Sequence, residues 1–280
     1  MSRSNCQQTN LKLDAKLEKC REILRSLERV VVAFSAGVDS TFLLAMGIET
    51  LSARNCLAVM GVSPSLPQRE REMGRELAAQ LGAELVEVET CELADESYTA
   101  NPKDRCFFCK SDLFTRLINV ARERGYSAVV CGANADDTGD FRPGLGAGEK
   151  LGVRNPLLEA GLTKAEIRMA SREMGLATWN KPAMACLASR VPYGEPVTAE
   201  KLHRIEQAEY VLKDHGLTQC RVRDHEKLAR IEVPPEEFDK ILRSRREVVE
   251  SLKALGYAYV TLDLQGFRSG SMNEVIDTDE

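Results

Sequence analysis

The sequence predicts an α/β fold in which helices cover a parallel β-sheet, followed by a smaller C-terminal α+β domain. Short apolar strands alternate with helices in the first half of the chain, and such alternation is typical of parallel sheets. After Val197 the order changes to helix, two strands, helix and strand. At 280 residues the chain is long enough for one large and one small domain. We therefore expect residues 1–190 to form the first domain and residues 191–280 the second.

Each element is predicted from its hydrophobic pattern. Leu13, Leu17, Cys20 and Leu24 recur at helical spacing, which predicts an amphipathic helix over about 11–28. The β-branched run at 30–32 predicts the first strand, which leads through a short loop into a second helix. The other predicted elements are strand 56–62, helix 68–81, strand 84–89, a helix that opens within 101–110 and runs to about 124, strand 127–131, a helix from 163 to about 175, helix 199–215, strands 219–225 and 228–233, helix 235–255 and strand 258–264.

Composition and charge narrow the possible functions. Hydrophobic residues make up 43% of the chain and charged residues 29%, as in ordinary globular proteins. The formal net charge of -5 argues against nonspecific binding of nucleic acid. The polar N-terminus and the lack of a long apolar run predict a cytoplasmic protein with no membrane partner. Nine cysteines in such a chain indicate thiol, metal or redox chemistry rather than a disulfide framework.

The loop after the first strand reads Ser35-Ala36-Gly37-Val38-Asp39-Ser40. It immediately precedes a helix, whose unpaired N–H groups and positive dipole end form an anion-binding site, so phosphate is the expected ligand. It lacks the Gly-Lys-Ser/Thr ending of a Walker A motif and so has no lysine to reach a γ-phosphate. The alternative interpretation is an ordinary strand-to-helix turn that is rich in small residues.

This loop resembles the Ser-Gly-Gly-x-Asp-Ser loop of the PP-loop ATP pyrophosphatases. Those enzymes cleave ATP to AMP and pyrophosphate and activate a substrate by adenylation. The resemblance implies a Rossmann-like domain of the adenine nucleotide alpha hydrolase-like type. Ala36 replaces the first glycine, a change that is tolerable if φ is negative there. The residues that the resemblance assigns to ATP are Ser35, Gly37, Val38, Asp39 and Ser40.

Other residues are expected at the carboxyl ends of the strands, where parallel sheets bind ligands. Gly61, Ser63, Gly132 and Asp137 are the further ATP contacts that we expect there. Asp137 and the neighbouring Asp136 could hold the Mg²⁺ ion that accompanies a triphosphate, and we also assign Asp39 to that ion. The alternative for the Asp136 turn is a solvated loop, since its residues suit turns.

Three cysteines are candidate functional thiols. Cys106 and Cys109 lie three residues apart at a helix start, where the dipole and nearby basic residues lower a thiol pKa. Such a pair can be redox-active, half of a zinc site or part of an iron–sulfur site. Cys186 lies in an irregular loop and is either a reactive thiol, a metal ligand or inert. Cys20, Cys56 and Cys131 are predicted to be core residues.

Two further features stand out. Arg221 and Arg223 alternate along a strand, which places both guanidinium groups on one face, and Arg268 follows the last strand. Such a set suits a phosphate or carboxylate, with water-facing surface arginines as the alternative. The glycine-rich segment 141–148 is predicted to be mobile and to order over a substrate, and the acidic tail from Asp277 is predicted to be disordered.

Several segments together resemble the LarE family over nearly the whole chain. Besides the PP-loop, these are Gly-Ala-Asn-Ala-Asp-Asp at 132–137, Arg-Pro-Gly at 142–144, Leu-Glu-Ala-Gly-Leu-Thr-Lys-Ala-Glu-Ile-Arg at 158–168 and Pro-Ala-Met-Ala-Cys-Leu-Ala-Ser-Arg at 182–190. LarE-like enzymes are ATP-dependent sulfur transferases that convert pyridinium-3,5-biscarboxylic acid mononucleotide to its bis-thiocarboxylic form for the nickel-pincer nucleotide cofactor. The resemblance implies that ATP adenylates a substrate carboxylate and that sulfur is then delivered to the acyl carbon.

The same resemblance assigns roles to the thiols and the arginines. Cys186 matches the sulfur-handling cysteine, which single-cysteine members consume by converting it to dehydroalanine. With Cys106 and Cys109 also present, as in iron–sulfur members, three thiolates could hold a 4Fe–4S cluster whose open iron binds sulfide. Arg221, Arg223 and Arg268 match basic positions near the substrate phosphate.

Two alternatives remain from the sequence. A PP-loop transfer-RNA thiolase also combines this loop with cysteines, although the acidic composition counts against it. A zinc-stabilised nucleotide-binding protein would complete a tetrahedral site with one of three histidines, His203, His215 or His225. We also expect a homo-oligomer, and the sequence does not identify the source of the sulfide.

Overall fold

The computed structural model describes residues 3–139, 143–268 and 271–272, and the chain forms two compact units. The first unit comprises Met1–Ser63, Gln68–Cys91 and Cys106–Met184, and the second comprises Pro64–Pro67, Glu92–Arg105 and Ala185–Glu280. Among the described helices, none has both the length and the apolar composition needed to cross a membrane.

The first unit is built on a four-stranded parallel sheet in the order β3-β2-β1-β4, which confirms the predicted α/β fold. The register pairs Val31 of the central strand with Leu57 on one side and Val129 on the other. The strands and helices of this unit are α1 (Arg3–Leu27), β1 (Val30–Ala33), α2 (Val38–Leu51), β2 (Cys56–Val62), α3 (Gln68–Gln80), β3 (Glu84–Glu89), α5 (Arg105–Arg124), β4 (Ala128–Val130), α6 (Pro143–Lys150), α7 (Pro156–Glu159) and α8 (Lys164–Glu173). The first residue of α5, Arg105, and the short helix α4 (Glu96–Thr99) belong to the second unit.

The core of the first unit lies between the sheet and helix α5. Val31, Leu57 and Val59 point from the central strands towards Phe114 and Leu117 of α5, and all five are almost completely buried. β-branched and aliphatic side chains fill both faces of a parallel sheet, because helices cover it on each side. This packing fixes the carboxyl ends of β1, β2 and β4 at one edge of the unit.

Helix α8 begins with a capping box at Thr163. The Thr163 hydroxyl accepts from the N–H of Glu166, and the Glu166 carboxylate accepts from the N–H of Thr163 at 2.8 Å. Two otherwise unpaired N–H groups are thereby satisfied. Lys16 of α1 also pairs with Glu166, at 2.7 Å.

Removing this cap is expected to destabilise the protein measurably. Thr163→Ala should lower the free energy of unfolding by about 1 kcal/mol, the usual cost of losing a threonine cap. Thermal unfolding should show the loss as a lower midpoint. Thr115→Ala is the matched control, because the Thr115 hydroxyl is exposed and only bonds the Ser111 carbonyl within α5. Equal midpoints for the two variants would contradict the prediction.

The structure contains one helix that the sequence analysis does not predict and divides another that it does. The segment predicted to be mobile forms helix α6 from Pro143, and two of its glycines allow it to pack closely on α5. A β carbon on Gly144 would lie 2.9 Å from Lys110 Cγ, and a β carbon on Gly148 would lie 3.3 Å from Phe114 Cε2. Its first two residues, at 141 and 142, lie outside the described residues, as does the tail from 277. The predicted helix 235–255 is instead a 3₁₀ turn and two helices, divided at Ser244, whose ψ of 14° is not helical.

The second unit contains a three-stranded mixed sheet in the order β5-β6-β7, with β5 antiparallel and β7 parallel to β6. Its core is formed by Leu212 of α9, Val222 and Ile231 of the strands, and Val248 and Leu252 after the Ser244 break. The elements of this unit besides α4 are α9 (Ala199–Asp214), β5 (Arg221–His225), β6 (Leu228–Glu232), α10 (Phe238–Arg243), α11 (Arg245–Ala254) and β7 (Tyr259–Leu262).

Strand β3 lies at the edge of the parallel sheet and carries an ion-pair cluster. Arg71 and Arg75 of α3 each bind the Glu87 carboxylate through two nitrogens, with distances of 2.7 to 3.1 Å. These hydrogen bonds lower the pKa of Glu87 to about 2. The cluster ties α3 to the edge of the sheet.

Candidate functional site

The loop at residues 35–40 connects the carboxyl end of β1 to the first turn of α2. Ser35 and Ser40 close it: the Ser35 N–H donates to Ser40 Oγ at 3.2 Å, and the two hydroxyl oxygens are 3.1 Å apart. Gly37 is the N-cap of α2 and supplies no side-chain cap. Val38 is buried, so it can offer a ligand only its main-chain N–H. The arrangement therefore has the features of an anion site at a helix N-terminus.

Ala36 does not meet the condition, a negative φ, under which alanine would replace glycine without strain. Its φ is 54°, in the left-handed region that favours glycine. The residue is also completely buried. The loop thus has a backbone that glycine would adopt without strain, although a methyl group stands in that place.

Asp39 is held by a lysine from a distant part of the chain. Lys164 Nζ lies 2.6 Å from Asp39 Oδ2, although 125 residues separate the two. The other oxygen, Asp39 Oδ1, is buried and has no hydrogen-bond partner among the residues that the structure describes. A buried carboxylate oxygen without a hydrogen-bond partner, beside an anion-binding loop, is a suitable ligand for a cation. Asp39 can therefore serve as a Mg²⁺ ligand.

Lys164 was missed in the sequence analysis. The loop carries no Walker lysine, yet Lys164 brings an ammonium group to it from the first turn of α8. The capping box at Thr163 was the available signal, because it fixes the start of α8 and makes Lys164 its first residue.

The end of β4 also reaches the loop. A β carbon on Gly132 would lie 3.0 Å from the Ser40 nitrogen and 3.2 Å from Asp39 Cβ, so only glycine allows this approach. In the following turn Asp137 is buried and accepts from the Asn134 N–H at 2.9 Å, while Asp136 accepts from the Lys164 N–H at 2.8 Å. The expectation of a solvated turn is therefore wrong for Asp137.

The end of β2 is arranged differently. Gly61 faces α5, since a β carbon there would lie 2.6 Å from Leu113 Cδ1. Close packing thus explains the glycine without a ligand. Ser63 follows the strand and is half-buried. The ATP contacts expected of these two residues stay predictions.

Cys106 and Cys109 lie on the first turn of α5, where the sequence predicts them. Cys106 is exposed and Cys109 is half-buried, and a spacing of three residues puts both thiols on one side of the helix. Helix α6 packs beside them, because a β carbon on Gly144 would lie 3.6 Å from the Cys106 carbonyl oxygen. Both thiols are on the surface of the first unit and can reach a ligand.

Cys186 is exposed and belongs to the second unit. The fully buried Arg190 holds its backbone, donating to the Ala185 and Cys186 carbonyls at 2.6 and 2.8 Å. Arg190 also forms a two-bond ion pair with Glu209, at 2.8 and 3.0 Å. Burial opposes ionisation of Glu209, but the Arg190 charge outweighs it and lowers the pKa of that carboxyl. The Cys186 loop is therefore anchored by a buried charge pair.

The remaining cysteines divide by burial. Burial raises the pKa of Cys20, Cys56 and Cys220 to about 12, which keeps these thiols protonated and inert. Cys131 lies just past β4 rather than inside the strand, and it is half-buried and packs against the hydrophobic core of the first unit.

Arg221 and Arg223 are both 5% exposed, so the alternative of water-facing arginines is wrong. Arg223 donates to the Ser189 carbonyl and pairs with Glu232, each at 2.7 Å. The Arg221 guanidinium lies 5.3 Å from the Phe267 ring centroid. Burial and the nearby Arg190 charge lower the pKa of Arg221 to about 10. An anion beside this guanidinium would relieve both penalties.

Arg268 is half-buried and donates to the Gly266 carbonyl at 3.2 Å. Its neighbour Phe267 is the residue that stacks against Arg221. The segment after β7 thus reaches the β5 arginines within the second unit.

Metal sites in proteins are usually built from three or more His, Cys, Asp or Glu side chains. Within residues 3–139, 143–268 and 271–272, no three such side chains lie close enough to hold a metal ion together. Asp39 and the Cys106–Cys109 pair are thus partial sites as they stand.

Comparison with known proteins gives three relatives that match over most of their length. The chain is 43% identical to an uncharacterised protein of Synechocystis over 94% of its own length and 99% of the relative. It is 38% identical to the pyridinium-3,5-bisthiocarboxylic acid mononucleotide synthase of Lactiplantibacillus plantarum, with coverage of 90% and 92%. It is 26% identical to an uncharacterised protein of Methanocaldococcus jannaschii, with coverage of 86% and 92%. No protein-family model matches the chain.

Proposed function

The chain belongs to the LarE family, and from this membership we propose that it is an ATP-dependent sulfur transferase that makes pyridinium-3,5-bisthiocarboxylic acid mononucleotide. The observation that carries the proposal is the loop at residues 35–40, which joins a helix N-terminus, a buried carboxylate oxygen on Asp39 and the Lys164 ammonium group. The product would serve synthesis of the nickel-pincer nucleotide cofactor.

The first step is adenylation of a substrate carboxylate. A carboxylate oxygen attacks the α-phosphorus of ATP, the bond to the β-phosphate oxygen breaks, and pyrophosphate leaves. First-turn amides of α2 bind the phosphates, and the Lys164 ammonium stabilises their negative charge. Asp39 would hold Mg²⁺, which neutralises charge on the phosphates when bound.

The second step transfers sulfur. The sulfur of a hydrosulfide ion attacks the acyl carbon and AMP leaves. One proton is released, and a thiocarboxylate forms. Both steps repeat for the second carboxylate. Cys106, Cys109 and Cys186 are the proposed sulfur-handling residues, because they match the family's cysteines, and their at least partial exposure is compatible with that role, whereas Cys20, Cys56 and Cys220 are buried.

We propose that the three thiols would hold a 4Fe–4S cluster that supplies the sulfide when bound, although no group of three metal ligands is assembled among the described residues. The i, i+3 spacing of Cys106 and Cys109 supports this assignment, since both point to one side of α5. The protein's own part is to supply these thiolates and, through Arg190, to fix the backbone of Cys186.

Substrate recognition is assigned to the arginines of the C-terminal domain, at 191–280, and ATP binding to the domain at 1–190. The buried Arg221 supports this division, because its lowered pKa reflects a guanidinium that an anion would stabilise. Arg223 and Arg268 would add donors to the substrate phosphate.

Products identify the reaction class. With sulfide present, ATP and the biscarboxylic acid mononucleotide should give AMP and pyrophosphate in equal amounts, measured by chromatography, whereas without sulfide the products should be pyrophosphate and the acyl-adenylate. Sulfide should then convert the adenylate to the thiocarboxylate. ADP and orthophosphate as products would overturn the proposal, as would steep salt-dependent binding of transfer RNA with no reaction on the mononucleotide.

Arg221→Met should weaken binding of the mononucleotide by about 1.5–3 kcal/mol, the scale of a charged hydrogen bond. Methionine keeps an apolar stem beside Phe267 but removes the charge. ATP affinity should hardly change, and calorimetry can measure both ligands. Arg246→Met, at an exposed position of α11, is the matched control. Equal weakening of both ligands would count against a substrate role for Arg221.

A further inference from the structure

The proposed ATP loop contains one backbone conformation that its own sequence disfavours. Ala36 has a φ of 54°, where a residue with a β carbon is strained. It is fully buried, and its methyl group lies against Gly74 of α3, where an added β carbon would come within 3.4 Å. A strained residue persists only where surrounding contacts determine its conformation.

Lys181 supplies such a contact. Its Nζ donates to the Ala36 carbonyl oxygen at 3.0 Å and pairs with Glu70 Oε2 at 2.6 Å. The side chains are only 12% and 11% exposed, so this ion pair is shielded from water. Met73 Sδ, one turn along α3 from Glu70, lies 3.0 Å from the same nitrogen. The ammonium group is thus surrounded by acceptors from the loop and from α3.

The backbone of Lys181 is fixed as well. Its N–H donates to the Thr178 carbonyl at 2.9 Å, and its own carbonyl accepts from Arg168 of α8 at 2.8 Å. Lys164, four residues before Arg168 on α8, pairs with Asp39 of the same loop. Helix α8 therefore supports the loop at two points, directly at Asp39 and through Lys181 at Ala36.

We infer that Lys181 and Glu70 are positioning residues that hold Ala36 in its left-handed conformation and so keep the loop in its phosphate-binding shape. This inference rests on the proposed function. Lys181 acts on the loop backbone and is not the cation that meets the phosphates, because Glu70 neutralises its charge and the Ala36 carbonyl takes one of its hydrogens. Lys164, which is 33% exposed at the loop, is the residue for that role.

A double-mutant experiment tests the inference. Lys181→Met removes the hydrogen bonds but keeps an unbranched side chain, and Ala36→Gly removes the strain that those bonds oppose. The two variants and their combination are compared for ATP dissociation constant and for amide hydrogen exchange of residues 33–41 without ATP. Lys201→Met is the matched control, since Lys201 is similarly shielded at 15% exposure and pairs with Glu195 in the second unit.

We expect Lys181→Met to weaken ATP binding about tenfold, the scale of one charged hydrogen bond, and to speed exchange in the loop. Adding Ala36→Gly should recover about threefold or more of that affinity, because glycine adopts a positive φ unaided. Lys201→Met should change neither measurement. If Lys181→Met does not fold, Glu70→Gln should show the same weakening and the same rescue.

Two results would overturn the inference. Unchanged exchange in Lys181→Met would mean that the loop does not depend on this contact. A combined variant as weak as Lys181→Met alone would mean that Lys181 touches ATP directly or only stabilises the fold. A wild-type protein that does not bind ATP would instead refute the proposed function, and the exchange measurement would still decide the role of Lys181.

Discussion

Asp39→Asn is expected to lower pyrophosphate release from ATP by about a hundredfold or more, the scale for removing a group that stabilises transition-state charge. Asp39 Oδ2 holds the Lys164 ammonium at 2.6 Å, and its Oδ1 is buried without a hydrogen-bond partner among the described residues. Asparagine keeps the shape of the side chain but loses the charge that both Lys164 and Mg²⁺ require. A coupled pyrophosphate assay measures the effect.

The control for this prediction is Asp239→Asn, at an exposed position in the first turn of α10. It should retain the full rate. Thermal unfolding of Asp39→Asn should match that of wild type, which separates lost chemistry from lost structure. Full activity in Asp39→Asn would show that this carboxylate is not part of the ATP site.

The second large effect concerns the thiols. Serine substitution of Cys106, Cys109 or Cys186 should each abolish the iron–sulfur absorbance and reduce the bound iron, because three thiolates are needed to retain the cluster. Cys91→Ser, which changes another exposed thiol, should leave both unchanged. Anaerobic purification with iron, sulfide and zinc analysis provides the measurement. Stoichiometric zinc without sulfide in the wild-type protein would favour the zinc-stabilised alternative.

With the cluster intact and with excess sulfide and ATP, each chain should convert more than one substrate molecule. Mass spectrometry should then find Cys186 unmodified, because the transferred sulfur comes from added sulfide. Loss of one sulfur and two hydrogens from Cys186, with transfer limited to one sulfur per chain, would show that the cysteine itself is consumed.

The parallel sheet could be predicted because its strands are encoded locally. The run at 30–32 and the strand Cys56–Val62 are continuous apolar segments with turn residues after them, a pattern that buried parallel strands require. The capping box at Thr163 is also local, since its threonine and glutamate are only three residues apart. Elements whose signals lie within a few residues were thus within reach of the sequence.

Features that depend on contacts between distant parts of the chain could not be predicted from the sequence. The left-handed Ala36 is held by Lys181, which is 145 residues away, and Asp39 meets Lys164 across 125 residues. The glycines of α6 indicate flexibility by propensity, yet close packing on α5 makes that segment a helix. Arg221 and Arg223 are likewise buried by tertiary packing that their charges alone would not predict.

The ion pairs on β3 also bear on how copies of this chain can associate. β3 pairs with β2 alone among the described strands, and an unpaired strand edge is a template for aggregation unless charged side chains block it. Glu87 stays ionised until the pH approaches about 2, because Arg71 and Arg75 lower its pKa from the ordinary 4.5. The stability that this carboxylate contributes is therefore fully present above its ordinary pKa of 4.5 and is lost progressively as the pH falls from there through about 2. Edge-to-edge fibre growth through this strand should be resisted while Glu87 stays ionised.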